Sequence, residues 1–188
     1  MNSDSPHVSA ASSRKCRNRP RGPSPSVVEP RLPLLLAVLA FVRAARACPG
    51  VHRISLLGSM LTAKAIPKDI DVLVTIDGAM ELTGLARAGR RLMGRAQTIN
   101  LGADIFLADT TGRYLGRICH YRECHPRALC QAQHCGQRDH LNDDLHIVTL
   151  SQELLASPPV DLWPSVVRRS PVPADVEHIL LTELERDQ

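Results

Sequence analysis

Leu56-Leu57-Gly58-Ser59, nine further residues, and then Asp69-Ile70-Asp71-Val72-Leu73-Val74-Thr75-Ile76 are the stretch that decides the fold. The period-two alternation from Asp69 to Ile76 reads as a strand with Ile70, Val72, Val74 and Ile76 on one face. Asp69 and Asp71 share the other face. Upstream, Arg53 to Leu57 is a short β-type run that stops at Gly58-Ser59, and Met60 to Ala65 suits a short helix ended by Pro67. Downstream, Asp77-Gly78 supplies a turn, and Ala79 to Gly94 reads as a helix carrying Arg87, Arg90 and Arg91. Thr98 to Ala108 is a second strand, in which Asp104 lies opposite an apolar row of Ala103, Ile105 and Leu107.

Leu32 to Val42 is an apolar run followed by Ala45-Arg46-Ala47, which has the form of a signal cleavage site. The long polar region ahead of it and the interrupting Arg43 and Arg46 favour a buried helix instead, with Pro33 in its first turn and Pro49-Gly50 as the stop. The run is also short of the ~20 apolar residues needed to cross a bilayer. The expectation is a cytoplasmic protein without membrane contact.

The sequence divides into a basic leader (1–31), a central domain (32–118), a Cys/His-rich insert with a further strand-like run from Leu145 to Leu150 (119–150), and a C-terminal loop and helix (151–188). The net charge of +4 resides in the leader, where Arg14, Lys15, Arg17, Arg19, Arg21 and Arg31 face only Asp4 and Glu29. The other 17 basic and 17 acidic residues cancel. A Ser/Pro/Arg-rich segment with so little apolar content cannot offset its ordering entropy, so the leader is expected to be disordered. Residues 151–164 read as a loop with one helical turn, and Pro173 to Arg186 as an amphipathic helix with Val176, Ile179, Leu180 and Leu184 on one side. Aromatics are 3% of the chain, which argues against rows of stacking platforms for single strands.

Taken together, the apolar-Gly58-Ser59 turn, the Asp69-Ile70-Asp71-Val72 strand and the later Ala103-Asp104-Ile105 resemble the DNA polymerase beta-like nucleotidyltransferase superfamily, in its minimal form. The resemblance covers about residues 32 to 110. It implies an α/β (α+β) fold, a small mixed β-sheet flanked by helices, here with a Cys/His-rich C-terminal extension. It also implies that Asp69, Asp71 and Asp104 are catalytic acids holding two Mg²⁺ ions. Carboxylates two residues apart on a strand point the same way, about 6.5 to 7 Å apart at the backbone, and suit a hard cation that also takes phosphate oxygens. Gly58 and Ser59 would cradle the nucleotide phosphates, Gly58 by close backbone approach and Ser59 by hydroxyl and N–H. Lys64, with Lys68, would neutralise phosphate charge or simply be solvated.

The reaction implied by the resemblance is transfer of an NMP from an NTP, ATP first, to a hydroxyl of a protein or small-molecule acceptor, or of an RNA end. In relatives of this size the protein acceptor is often a helical ribonuclease toxin silenced by adenylylation. The alternative is a catalytically silent module that binds nucleotide or a partner through a metal-stabilised surface. The residues themselves also admit a plain reading, in which the three aspartates are strand-surface residues and Gly58-Ser59 is an ordinary turn.

Cys119, Cys124, Cys130 and Cys135, with His120, His125, His134 and His140 nearby, suit a structural tetrahedral Zn²⁺. The competing reading is reduced, partly buried thiols. Arg87, Arg90, Arg91 and Arg95, with Arg113, Arg117, Arg122 and Arg127, form a basic stretch that suits RNA, an acidic partner or nucleotide phosphates, or is a solvated helix face. Nucleic-acid binding stays open at this level.

Overall fold

The computed structural model describes residues 31–124, 132, 138–143 and 157–188. The expected strand at Leu145 to Leu150 and the leader before residue 31 lie outside the described residues.

A six-stranded mixed sheet runs in the order β5-β4-β3-β2-β1-β6. Its strands are β1 (Val51–Leu57), β2 (Asp69–Ile76), β3 (Gly102–Asp109), β4 (Tyr114–Ile118), β5 (Leu141–Asn142) and β6 (Val160–Trp163). Only β2 and β3 are parallel; the other four pairs are antiparallel. A parallel pair needs a crossover, and α2 (Thr83–Gln97) supplies it.

One face of the sheet is apolar because alternate residues of each central strand are aliphatic. Ile54, Leu56, Ile70, Val72, Val74, Ile76, Ile105 and Leu107 are all fully buried. Against them lie α1 (Arg31–Ala45), which buries Leu34, Leu35, Val38, Phe41 and Val42, and α2, which buries Leu85, Ala88, Leu92 and Ala96. Such side chains contribute about 1.5–3 kcal/mol each on leaving water, so this one-sided core dominates stability. The chain closes with a π-helical stretch, Val176–Leu181, continuing into a short α-helix, Thr182–Arg186. Val176, Leu180 and Leu184 turn inward as their spacing predicts, while Ile179 is only partly buried and Leu181 takes an inner place. Among the described residues no helix is long and apolar enough to cross a membrane.

Three local expectations are corrected. Residues 160–163, read as loop, form β6 and extend the sheet beyond β1. Tyr114–Ile118, where no strand was expected, forms β4. Both are short and carry little alternation, so pairing with a longer neighbour, not their own pattern, fixes them. Gly116 permits the β4–β5 contact: its φ is +133°, and a Cβ there would overlap the Asn142 carbonyl oxygen. Arg31, counted with the leader, is instead the buried first residue of α1.

Arg31 joins three parts of the chain. It bonds to the Asp175 carboxylate and donates to the carbonyls of Met60 (3.0 Å) and Lys64 (2.9 Å). Burial works to raise the Asp175 carboxyl, but the Arg31 bond and charge outweigh it and hold the group below the ordinary carboxylate range. Arg31→Met keeps the apolar stem and removes every donor. It is expected to destabilise the protein by about 2–4 kcal/mol, read as a lower urea midpoint with unchanged slope.

Candidate functional site

The second face of the central strands carries the acids. β2 and β3 pair in parallel with Asp69 opposite Gly102 and Asp71 opposite Asp104. Since strands in a sheet are about 4.8 Å apart, this register sets two carboxylates side by side, with Asp69 one pleat along the same face. The sequence supplies the alternation; the parallel register gathers the three residues.

Their electrostatics follow from that crowding. Asp71 is 5% exposed. Burial, then the charges of Asp69 and Asp104 and a hydrogen bond with Asp69, push its carboxyl from the ordinary 3.8 up to about 7. Asp104 goes the other way. Burial alone would raise it, but its Oδ1 meets His120 Nε2 at 3.0 Å and receives a bond from Arg117 Nη1 at 3.1 Å, and the net effect is a lowered value. The site therefore joins one carboxylate stabilised as an anion to a neighbouring pair that resists a second negative charge.

The turn before β2 is built against this pair. Gly58 has φ +69°, and a Cβ on it would overlap the Asp71 Oδ2. Glycine is thus required twice, for the left-handed backbone and for the space the carboxylate occupies. Ser59 is buried, and its hydroxyl accepts from the Lys68 N–H (3.1 Å) and donates to the Asp69 carbonyl (3.2 Å). That hydroxyl staples the ends of the 59–69 loop together and pins the start of β2. The expectation that it faces a phosphate meets this competing engagement. Lys64 is exposed in the same loop, and its carbonyl is held by Arg31.

Gly58→Ala is expected to cost about 1–3 kcal/mol, part from backbone strain and part from displacing Asp71. In an Asp71→Ala background only the strain remains, about 1 kcal/mol. Urea denaturation of the four-member cycle reads the difference; additive effects would contradict the contact.

Arg117 and His120 meet Asp104, a role the sequence reading does not give them: there Arg117 belongs to a basic stretch that suits RNA, an acidic partner or nucleotide phosphates, or is solvated, and His120 to the available zinc ligands. Arg117 lies on β4 opposite Phe106, two residues along β3 from Asp104. Without β4 no sequence signal could place it. On the same face, Asp161 of β6 receives bonds from Ser55 (2.6 Å) and Arg169 (2.7 Å). Burial works to raise it, and those bonds with the charges of Arg169 and Arg53 hold it below the ordinary range. Its oxygens are satisfied within the protein, as in a structural tie between β1 and β6.

The zinc expectation is addressed only at its start. Cys119 is buried, Cys124 ends a one-turn helix, α3 (Tyr121–Cys124), and Cys130 and Cys135 lie outside the described residues. His120 faces Asp104, and His140 Nδ1 faces Arg90 Nη2 at 3.4 Å. Among the described residues no three His, Cys, Asp or Glu side chains stand ready as a metal cluster. At the acid site Asp71 is hydrogen-bonded with Asp69, while Asp104 is engaged by Arg117 and His120.

The donor set nonetheless fits a hard divalent cation. Three carboxylates from two adjacent strands share one face, and burial followed by the charges of Asp69 and Asp104 raises the Asp71 carboxyl. No family model matches the chain, and no curated protein and no solved structure matches it.

Proposed function

We propose that the chain is a minimal nucleotidyltransferase of the polymerase beta-like kind, moving an NMP from an NTP to a hydroxyl on a protein or small-molecule acceptor. The observation that carries this reading is the β2–β3 register, which sets Asp104 beside Asp71 with Asp69 on the same face and Gly58 opening the backbone against them.

Asp69 and Asp71 would hold Mg²⁺, and Asp104 would complete the set on the side of the acceptor. When bound, Mg²⁺ supplies charge neutralisation for the triphosphate and acidifies the attacking hydroxyl. The bond from acceptor oxygen to α-phosphorus would form as the bond to pyrophosphate breaks, with the hydroxyl proton passing to solvent water and pyrophosphate leaving as the anion. Arg117 and His120 orient the Asp104 carboxylate and keep it anionic, which suits a group that holds charge more than one that stores a proton. ATP is the first donor to try, and a helical toxin is one protein acceptor consistent with the resemblance.

A second reading has its own support. Asp104 Oδ1 is already shared by Arg117 and His120, and the Ser59 hydroxyl is spent on the backbone. A site locked in that state binds nucleotide or a partner without chemistry. Purified protein incubated with each α-labelled NTP, Mg²⁺ and an acceptor panel of host proteins and small alcohols distinguishes the two. Label transfer that needs both Mg²⁺ and the aspartate pair is the expected result. NTP binding with no transfer to any acceptor would establish the silent module.

A further inference from the structure

Helix α2 carries four arginines and no acidic residue over Thr83–Gln97. Arg87, Arg91 and Arg95 are exposed, and none of them meets a carboxylate among the described residues. By contrast, Arg43, Arg113, Arg168 and Arg169 find acidic partners. Residues four apart recur on one helix face with a rise of about 6 Å, so the three guanidiniums make a row about 12 Å long.

Arg90 extends the row toward the sheet edge. Its Nε donates to the Cys119 carbonyl at 3.3 Å and its Nη2 faces His140. With Arg87, Arg91 and His140 it lines an open concavity of about 400 Å³. It also borders a smaller one with His120, Arg122 and the exposed Tyr121.

We infer that this face of α2 binds the phosphate backbone of single-stranded nucleic acid. Guanidiniums without acidic partners suit phosphate oxygens, and a single strand, with its phosphates not held in a duplex, can follow the row and the concavity beside it. A protein partner would require an apolar centre to its interface, and α2 exposes no large hydrophobic residue. With one aromatic in reach, phosphate contacts carry the affinity, so binding is steeply salt-dependent and tolerant of sequence. The smaller concavity adjoins the acid site through His120, whose Nε2 meets Asp104, but the row of Arg87, Arg91 and Arg95 has no part in the acid set, and the inference holds whether or not nucleotidyl transfer does.

The test measures binding of the full chain to a fluorescent uridine homopolymer of about 20 nucleotides across about 50 to 200 mM salt. R87A/R91A/R95A removes side chains without acidic partners and is expected to leave the thermal midpoint unchanged. It should weaken binding at least about tenfold at mid-range salt and lower the log–log salt slope by about 2, the share of three phosphate contacts on a single strand. A variant neutralising Arg14, Lys15, Arg17, Arg19 and Arg21 separates the leader's contribution. No RNA binding by the wild type, or undiminished binding by the α2 variant while the leader variant loses it, overturns the inference. Competition by polyglutamate equal to that by RNA of the same charge overturns it too, and assigns the face to an acidic protein.

Discussion

Replacing Asp69 and Asp71 together with alanine is expected to lower nucleotidyl transfer by about a thousandfold or more, with the fold intact. Removing one preorganised electrostatic contact to a transition state commonly costs about 10²–10³ in rate, and here both ligands proposed on β2 are lost. The usual objection to such a variant is that it unfolds. At this site physics points the other way: the two carboxylates are crowded on one face, and the Asp71 value of about 7 shows that the fold opposes the second charge. The thermal midpoint at pH 8 without metal should therefore equal or exceed that of the wild type. A variant that transferred label at the wild-type rate would remove the aspartates from the chemistry, whatever its stability.

Asp71→Asn is expected to stabilise the metal-free protein in a pH-dependent way. Below about pH 3 the carboxyl is protonated in both folded and unfolded chains, so the substitution changes little. Between the unfolded value near 3.8 and the folded value of about 7, the folded state keeps a proton that the unfolded chain has released, and wild-type stability falls as pH rises. The cost is fully present above pH 7. Asparagine carries no such charge, and its amide can still donate to Asp69. The gain should thus grow from near zero at about pH 3 to about 2 kcal/mol at pH 8, less than the full displacement implies because an amide is an imperfect replacement. Urea midpoints at several pH values measure it. Added Mg²⁺ should raise the wild-type midpoint at pH 8 and narrow the gap, since an ion that binds the folded state stabilises it by mass action. A gap independent of both pH and Mg²⁺ would mean that Asp71 is not a strained anion.

This compromise, stability spent on concentrated negative charge, is what distinguishes the acid site from Asp161. There Arg169 and Ser55 satisfy the carboxylate inside the protein. Asp104 is intermediate, sharing a face with the pair yet already paired with Arg117 and His120. In the proposed function, release of Asp104 by those two residues would separate catalyst from silent module, and the label-transfer experiment tells the two apart.

The central strands and the first helix were legible in the sequence because their signals are local. Asp69 to Ile76 alternates without a break, and the structure places β2 on those residues. Leu32 to Val42 is apolar enough to fix a buried helix, which runs from Arg31 to Ala45. The same alternation assigned Asp69, Asp71 and Asp104 to faces opposite their apolar rows. It could not say that the two faces coincide, because register between strands over thirty residues apart is decided by how their apolar sides pack on shared helices. The remainder of the site is tertiary for the same reason. Arg117 reaches Asp104 only once β4 pairs with β3, Gly58 is required because Asp71 fills the space beside it, and Asp71 departs from its ordinary value because burial and two like charges converge there. Periodicity along a chain records which side a residue faces; which other residues it meets there, and at what electrostatic cost, depends on contacts between distant segments that exist only in the folded molecule.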